Sequence, residues 1–249
     1  MSKENSLLPL GLKNKCGRTL AVLVWILPAL APAQPTAPLN DTGQLQCVDA
    51  SNQWAVCNAA NTGNAAIYPG QDGRYGRDRA PLAKIGGGVE GFDFTRMCWN
   101  GQTEGSAQCV GTLVANGTAA AAGSNTDWAC TRDNVTGLVW SLQTQSATWN
   151  AAAAVGYSDA GHNSAARCGY ATGWRLPTRR ELFSLMHYGA ASPPLIEQTY
   201  FPGTQSFYWT SDVYAPDASL AWRVYFNDGY IGPVLKTTNG SVRLVRSGQ

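Results

Sequence analysis

The residues best suited to chemistry lie near the C-terminal end. Tyr208, Trp209, Trp222, Tyr225 and Tyr230 share a short stretch, with Asp212, Arg223, Asn227 and Asp228 interleaved. Aromatic faces offer apolar surface on which the C–H face of a sugar ring can stack. The carboxylates, the amide and the guanidinium beside them can take its hydroxyls in hydrogen bonds. Such a set binds a ligand without transforming it. The competing reading is packing, with Trp209 and Trp222 as core and the polar groups as solvated turns. If the set binds, substituting Trp209 or Trp222 should weaken binding without unfolding the protein. Calcium at Asn227-Asp228-Gly229 is a weaker expectation, because such a site needs about six to eight oxygens.

Catalysis would need a nucleophile or an acid–base pair, and the chain has only two histidines, His162 and His187. His162 lies between Gly161 and Asn163 in an expected loop. His187 follows Met186 at the end of an expected helix, where a cation is ordinary. No Ser/His/Asp order stands out. The Gly86-Gly87-Gly88 run lacks the remainder of a phosphate-binding loop. The residues point away from an enzyme, and no cofactor is expected.

Cysteines carry the other chemistry. Seven are present, and Cys16 precedes an apolar run, which leaves Cys47, Cys57, Cys98, Cys109, Cys130 and Cys168. An even count behind an export signal points to disulfides. Six cysteines allow about fifteen connectivities. Nearest-neighbour pairing, Cys47–Cys57, Cys98–Cys109 and Cys130–Cys168, is preferred, since the first pairs close short hairpin-like loops. A metal site is the rival. No C-x-x-C occurs and neither histidine flanks a cysteine at ligand spacing, so zinc is not expected.

The export signal is at the N-terminus. Lys13, Lys15 and Arg18 precede the apolar stretch from Thr19 to Ala31, and Ala31-Pro32-Ala33 is an A-x-A cleavage pattern before Gln34. This is the form of a secretory signal peptide over 1–33. The run is about 13 residues, shorter than the ~20 that cross a bilayer. No later stretch is long enough, so no membrane span is expected in the mature chain. Cleavage removes four of 18 basic and one of 16 acidic residues, taking the formal charge from +2 to −1. Nothing resembles the basic stripe of a nucleic-acid-binding protein. The protein is expected outside the cytoplasm: extracellular, on the cell surface or in the periplasm.

The elements that must position these residues can be read only coarsely. Residues 34–45 are rich in Pro and Thr and read as a lead-in. Gly63, Gly70, Gly73, Gly76 and the glycine triplet punctuate short apolar pieces over 46–125, suggesting strands and turns pinned by two disulfides. The stretch 116–125 reads as a linker. Asp133-Asn134-Val135-Thr136-Gly137 is turn chemistry, and Leu138-Val139-Trp140 a short strand. Ser146 can cap a helix containing Trp149 to Ala154. Thr178 and Glu181 form a capping box. The helix behind them, with Leu182, Leu185 and Met186 on one face, should run to Gly189 before Pro193-Pro194. Phe207 to Val213 reads as a strand. Leu220, Trp222, Val224 and Phe226 alternate with Ala221, Arg223 and Tyr225, predicting a strand with one buried face. After the Asn227-Asp228-Gly229 turn, residues 234–237 and 241–246 complete the set. Two helices followed by an antiparallel meander is an α+β arrangement.

Several ordered blocks also resemble a known family. They are Asp133-Asn134-Val135-Thr136-Gly137-Leu138-Val139-Trp140, then Trp149 with Ala152, then Gly173-Trp174-Arg175-Leu176-Pro177-Thr178-Arg179-Arg180-Glu181-Leu182. Tyr200-Phe201-Pro202, Tyr208-Trp209-Thr210-Ser211, Ala221-Trp222 and Val242-Arg243-Leu244-Val245-Arg246 follow in order. Together they resemble the Lcl C-terminal (DUF1566) family over roughly residues 127–247. Thr42-Gly43-Gln44 with Cys47, and Gly70-Gln71-Asp72-Gly73, resemble the leader that often precedes this domain. The Trp-Arg-Leu-Pro-Thr-x-x-Glu block is similar to one in formylglycine-generating enzymes. The resemblance therefore implies a C-type-lectin-like domain over 127–249, with a small disulfide-pinned β-rich region over 34–126 before it. It makes Trp140, Trp174, Arg175, Leu176, Pro177 and Glu181 a structural motif. Formylglycine-generating enzymes use cysteines late in the domain, and none follows Cys168. Lectin-type calcium tripeptides are absent as well. Members of the resembled family commonly carry a cysteine where this chain has Leu244, a natural partner for Cys168. Its loss leaves Cys130 as the replacement that the resemblance implies.

The expected function is an exported adhesion or ligand-binding module. The resemblance implies surface attachment, to glycans or to polyanionic polysaccharide, although the near-neutral mature charge argues against strong polyanion binding. The alternative is a structural subunit of a surface assembly or filament, an oligomer in which the same aromatics make subunit contacts. No Gly-x-y run is present to drive a collagen trimer. A catalyst of the formylglycine-generating type is the third and least supported reading.

Overall fold

The structure is a computed structural model that describes residues 40–48, 53–57, 77, 83–109, 127–153 and 166–248. All of them belong to one unit, Ala37–Gln249. The expected signal peptide, residues 34–39 of the lead-in, Gly63, Gly70, Gly73, Gly76, the 116–125 linker and His162 lie outside the described residues.

Strands dominate. A two-stranded sheet pairs β1 (Gln46–Val48) with β2 (Trp54–Val56). A four-stranded antiparallel sheet contains β3 (Phe94–Cys98), β4 (Trp128–Asp133), β5 (Leu138–Ser141) and β11 (Val245–Ser247), in the order β11-β5-β4-β3. A five-stranded mixed sheet contains β6 (Gln145–Thr148), β7 (Phe207–Val213), β8 (Leu220–Tyr225), β9 (Ile231–Leu235) and β10 (Asn239–Val242), in the order β6-β10-β7-β8-β9. The α-helices among the described residues are α1 (Trp149–Ala153) and α2 (Arg179–Phe183), five residues each.

The expected α+β, C-type-lectin-like domain of two helices and a meander is therefore overturned: among the described residues, eleven strands in three sheets and two short helices make a mostly β structure. Both helices are shorter than expected, because contacts distant in sequence compete with them. Gln145–Thr148 is drawn into pairing with β10, so Ser146 sits in a strand and α1 begins behind Thr148, whose hydroxyl accepts the Ala151 N–H. The capping box of α2 is present, with Thr178 and Glu181 satisfying each other's backbone donors. The helix still stops at Phe183. The N–H groups of His187 and Tyr188, which a longer helix would use, donate to Leu195 and Thr42 instead. The meander is also broken, because non-local pairing competes with the hairpin order. β10 crosses over to run parallel to β7, with Ser241 opposite Tyr208, and β11 leaves for the other sheet.

Pairing also joins the stretches on either side of residue 126. Phe94 to Met97 lie opposite Asp133 to Cys130 in register, so β3 belongs to the same sheet as β4.

Two apolar clusters fill the interior. One holds Trp140, Leu182, Leu185, Phe201, Tyr208 and Val224. The other holds Cys130, Cys168, Trp174, Leu176, Trp209 and Ala221. Tyr208 pairs with Val224, and Trp209 with Arg223. Neighbouring residues of a strand point to opposite faces, so the central strands of the mixed sheet are covered on both. That is why β8 departs from the expected single buried face: Ala221 and Val224 are both fully buried.

All three expected disulfides are present, Cys47–Cys57, Cys98–Cys109 and Cys130–Cys168. The last ties β4 to a 3-10 turn at Arg167–Gly169, the pairing implied once Leu244 stands in the final cysteine position.

Candidate functional site

The covered sheet divides the expected ligand-binding residues. Tyr208 and Trp209 have no exposed surface. The Tyr208 hydroxyl lies 3.0 Å from that of Thr144, and the Trp209 indole donates to the Ala147 carbonyl. Both rings are core, as the packing reading had it for Trp209, and neither is placed to meet a ligand. Trp222 is half-buried, but the Arg179 guanidinium covers its face at 4.4 Å and Tyr214 packs edge-on at 5.3 Å. Asp212 accepts the Arg179 N–H at 2.5 Å and so closes the start of α2. Asn227 and Asp228 are exposed in the β8–β9 turn, where Asp228 accepts the Tyr230 N–H at 2.9 Å. Among the described residues, no cluster of three or more His, Cys, Asp or Glu side chains is placed to hold a metal.

Arg223, Tyr225 and Tyr230 do come together, with a residue that the sequence reading missed, Phe207. Phe207 lies opposite Tyr225, and the Tyr225 N–H donates to the Tyr230 carbonyl. The three rings therefore form one row across β7, β8 and the start of β9. Their centroids are 5.5 and 5.7 Å apart, tilted by 43° and 48°. Tyr230 is 59% exposed. Glycines let the two outer rings lie against the sheet. A Cβ on Gly240 would fall 2.4 Å from the Phe207 ring, and one on Gly232 2.3 Å from the Tyr230 ring.

Arg223 occupies the adjoining row. Its guanidinium sits 4.5 Å from the Phe207 ring and 4.4 Å from that of Tyr225. Burial lowers its pKa, with Tyr230 acting in the opposite sense. Its Nε is buried and unbonded. Among the described residues its side chain has no hydrogen-bond acceptor and no carboxylate partner. Cation–π contact holds the planar group in place while its N–H edge stays unused. The signal that could have found Phe207 was strand alternation combined with cross-strand register.

Trp140, Trp174, Leu176 and Pro177 are buried, and the Pro177 carbonyl accepts the Ser211 N–H. Arg175 exchanges backbone hydrogen bonds with Val245 at 3.0 and 2.9 Å, and its guanidinium meets Glu181. His187 is not an exposed helix-end cation. It lies beyond α2, buried, with Nε2 3.8 Å from Glu90.

These features define a disulfide-stapled, mostly β protein with an aromatic row on its larger sheet. Residues 129–246 match the Lcl C-terminal domain family. No curated protein matches the chain.

Proposed function

We infer that the protein is an exported carbohydrate-binding module, and that its binding surface is the Phe207–Tyr225–Tyr230 row with Arg223. One observation carries this reading: a guanidinium held against two neighbouring aromatic rings, with unused donors, beside an exposed tyrosine. Sugar rings stack on such faces, and their hydroxyls accept from a pre-positioned guanidinium. Little side-chain entropy remains to be lost on binding, which favours affinity.

Export is supported by the basic and apolar N-terminus and by the three disulfides, which persist in oxidising compartments. No helix of the described residues is long and apolar enough to cross a membrane. The filament alternative meets an obstacle at β9, the edge of the mixed sheet. Pro233 lies within it and has no N–H to offer an added strand.

The test is a glycan array probed with the oxidised protein and with Tyr230→Ala. Hits that fade in the variant support the reading. An array without hits overturns it.

A further inference from the structure

A cleft of about 440 Å³ opens between the 85–87 loop and the β3–β4 pair, with Ile85, Thr95, Glu104, Arg132, Asn134 and Tyr200 among its walls. That volume suits a small organic molecule. The reading of the aromatic row makes no use of it.

The loop wall is fixed to the sheet. Asp93 accepts the N–H groups of Ile85 at 2.9 Å and Gly86 at 2.8 Å, and the Asn134 amide at 2.8 Å. Gly87 and Phe94 exchange backbone hydrogen bonds of 2.8 and 2.7 Å. A Cβ on Gly87 would fall 2.2 Å from the Tyr200 hydroxyl, so this glycine lets the loop lie against the tyrosine. Gly86 and Gly87, of the triplet that made no phosphate loop, thus line a cleft.

The charges around the cleft are spent, with one exception. Glu104 pairs with Arg96 at 3.2 Å and accepts its N–H at 2.8 Å. The Arg96 guanidinium lies 4.6 Å from the Trp128 ring and 4.9 Å from the Tyr200 ring. Lys84 donates to the Gly88 carbonyl, and Asp93 is held by the loop. Arg132, opposite Thr95 in the sheet, is half-buried, and its guanidinium makes no hydrogen bond or ion pair among the described residues. Beside it, Thr95 Oγ1 accepts the Asn134 amide at 2.8 Å, leaving its own O–H free to donate. The cleft offers donors and one uncompensated positive charge, together with the surfaces of Tyr200 and Ile85.

We propose that this cleft binds a small organic monocarboxylate, whose carboxylate is taken by Arg132 and the Thr95 hydroxyl while its apolar part lies against Tyr200 and Ile85. The guanidinium fork matches a planar carboxylate in two parallel hydrogen bonds. Inorganic phosphate would satisfy the guanidinium but leave the apolar walls unused.

The experiment is calorimetric titration of the full oxidised chain with benzoate, with its neutral isostere benzamide and with inorganic phosphate. Saturable millimolar binding of benzoate, with no binding of benzamide and weaker binding of phosphate, is expected. Arg132→Gln should weaken benzoate at least about tenfold, the scale of a lost charge-assisted hydrogen bond. Ile85 is 80% exposed, so Ile85→Asp leaves the fold intact and should also weaken benzoate by setting a negative charge at the mouth. Arg223→Gln should leave benzoate binding unchanged, which separates this site from the aromatic row. Absence of saturable benzoate binding, equal affinity for benzamide, preference for phosphate, or unchanged binding in both cleft variants would overturn the proposal.

Discussion

The Arg175 guanidinium grips both carboxylate oxygens of Glu181, at 2.8 and 2.6 Å, and one of those oxygens also accepts the Thr178 N–H at 2.7 Å. The ion pair and the capping box of α2 are therefore a single unit. Burial works to raise the Glu181 pKa, but the hydrogen bonds from Arg175 and Thr178 and the Arg175 charge outweigh it, so the carboxyl stays ionised. The Trp-Arg-Leu-Pro-Thr-x-x-Glu block thus fixes the entry to a helix that packs Leu182 into the core. Glu181→Ala should cost about 1–2 kcal/mol in urea unfolding, the scale of a lost cap. Arg175 is partly exposed, so its coupling to Glu181 in a double-mutant cycle should be only about 1 kcal/mol. Strict additivity would show that the Arg175–Glu181 contact adds nothing to stability.

Arg243 is fully buried, and among the described residues its guanidinium hydrogen-bonds only to the hydroxyls of Thr204 and Tyr208. Burial lowers its pKa, with Tyr208 acting in the opposite sense. A buried cation without a counter-ion contributes little net stability. Both hydroxyls keep other partners: Thr204 donates to the Phe201 carbonyl, and Tyr208 accepts the Gln205 N–H. Arg243→Met should therefore change stability by less than about 1 kcal/mol, whereas Tyr208→Phe, which strips a buried cation of a partner, should cost about 1–3 kcal/mol. Thermal melts of the two variants decide it, and the reverse order would show that the guanidinium is a net stabiliser.

What could be read from sequence is what is local. The capping box depends on residues three apart, and Thr178 and Glu181 met as expected. Cys47–Cys57 and Cys98–Cys109 close short loops, so spacing pointed to them. Sheet order was illegible, since the parallel pairing of Ser241 with Tyr208 joins distant segments and leaves no local trace. The proposed binding surface was half legible for the same reason. Tyr225, Tyr230 and Arg223 stood out by type, but separating Phe207 from its neighbours Tyr208 and Trp209 required knowing that both faces of the sheet are covered.

His187 gives a pH dependence with a definite sign. Burial lowers its pKa from 6.5, against the raising influence of Glu197 and Asp41. Below 6.5 the unfolded chain takes up this proton more readily than the folded one, so stability falls as pH drops through that value toward the folded pKa. Above 6.5 the contribution is complete and constant. Unfolding free energies measured across this interval should show a slope that flattens in His187→Gln. An unchanged slope in the variant would assign the effect to other groups.

Cys130–Cys168 closes the longest disulfide loop, a separation of 38 residues against 10 for Cys47–Cys57. Chain entropy assigns about 4 kcal/mol to the first and about 3 kcal/mol to the second. Both Cys130 and Cys168 are also fully buried in the core that holds Trp174 and Trp209. The double substitution Cys130→Ala/Cys168→Ala should lower the melting temperature more than Cys47→Ala/Cys57→Ala, which removes a bond holding only the β1–β2 pair. Equal losses would show that the small sheet contributes as much to the folded unit as the core.

Trp209 and Tyr230 sit on the same face of the mixed sheet, yet they should respond in opposite ways to truncation. Trp209 is fully buried and its indole bonds to Ala147. Trp209→Ala should cost about 3–5 kcal/mol, the range for emptying an aromatic site in a core. Tyr230 is mostly exposed and lies over Gly232 at the edge of the sheet. Tyr230→Ala should change stability by no more than about 0.5 kcal/mol while weakening any glycan found on the array by about 1–2 kcal/mol, the scale of one lost stacking contact. Arg223→Gln, which removes the guanidinium lying over Phe207 and Tyr225, should weaken the same ligand. Circular dichroism melts run beside the binding assay separate the two effects. If Tyr230→Ala and Arg223→Gln bind the glycan as tightly as the parent, the aromatic row is packing surface and the ligand meets the protein elsewhere.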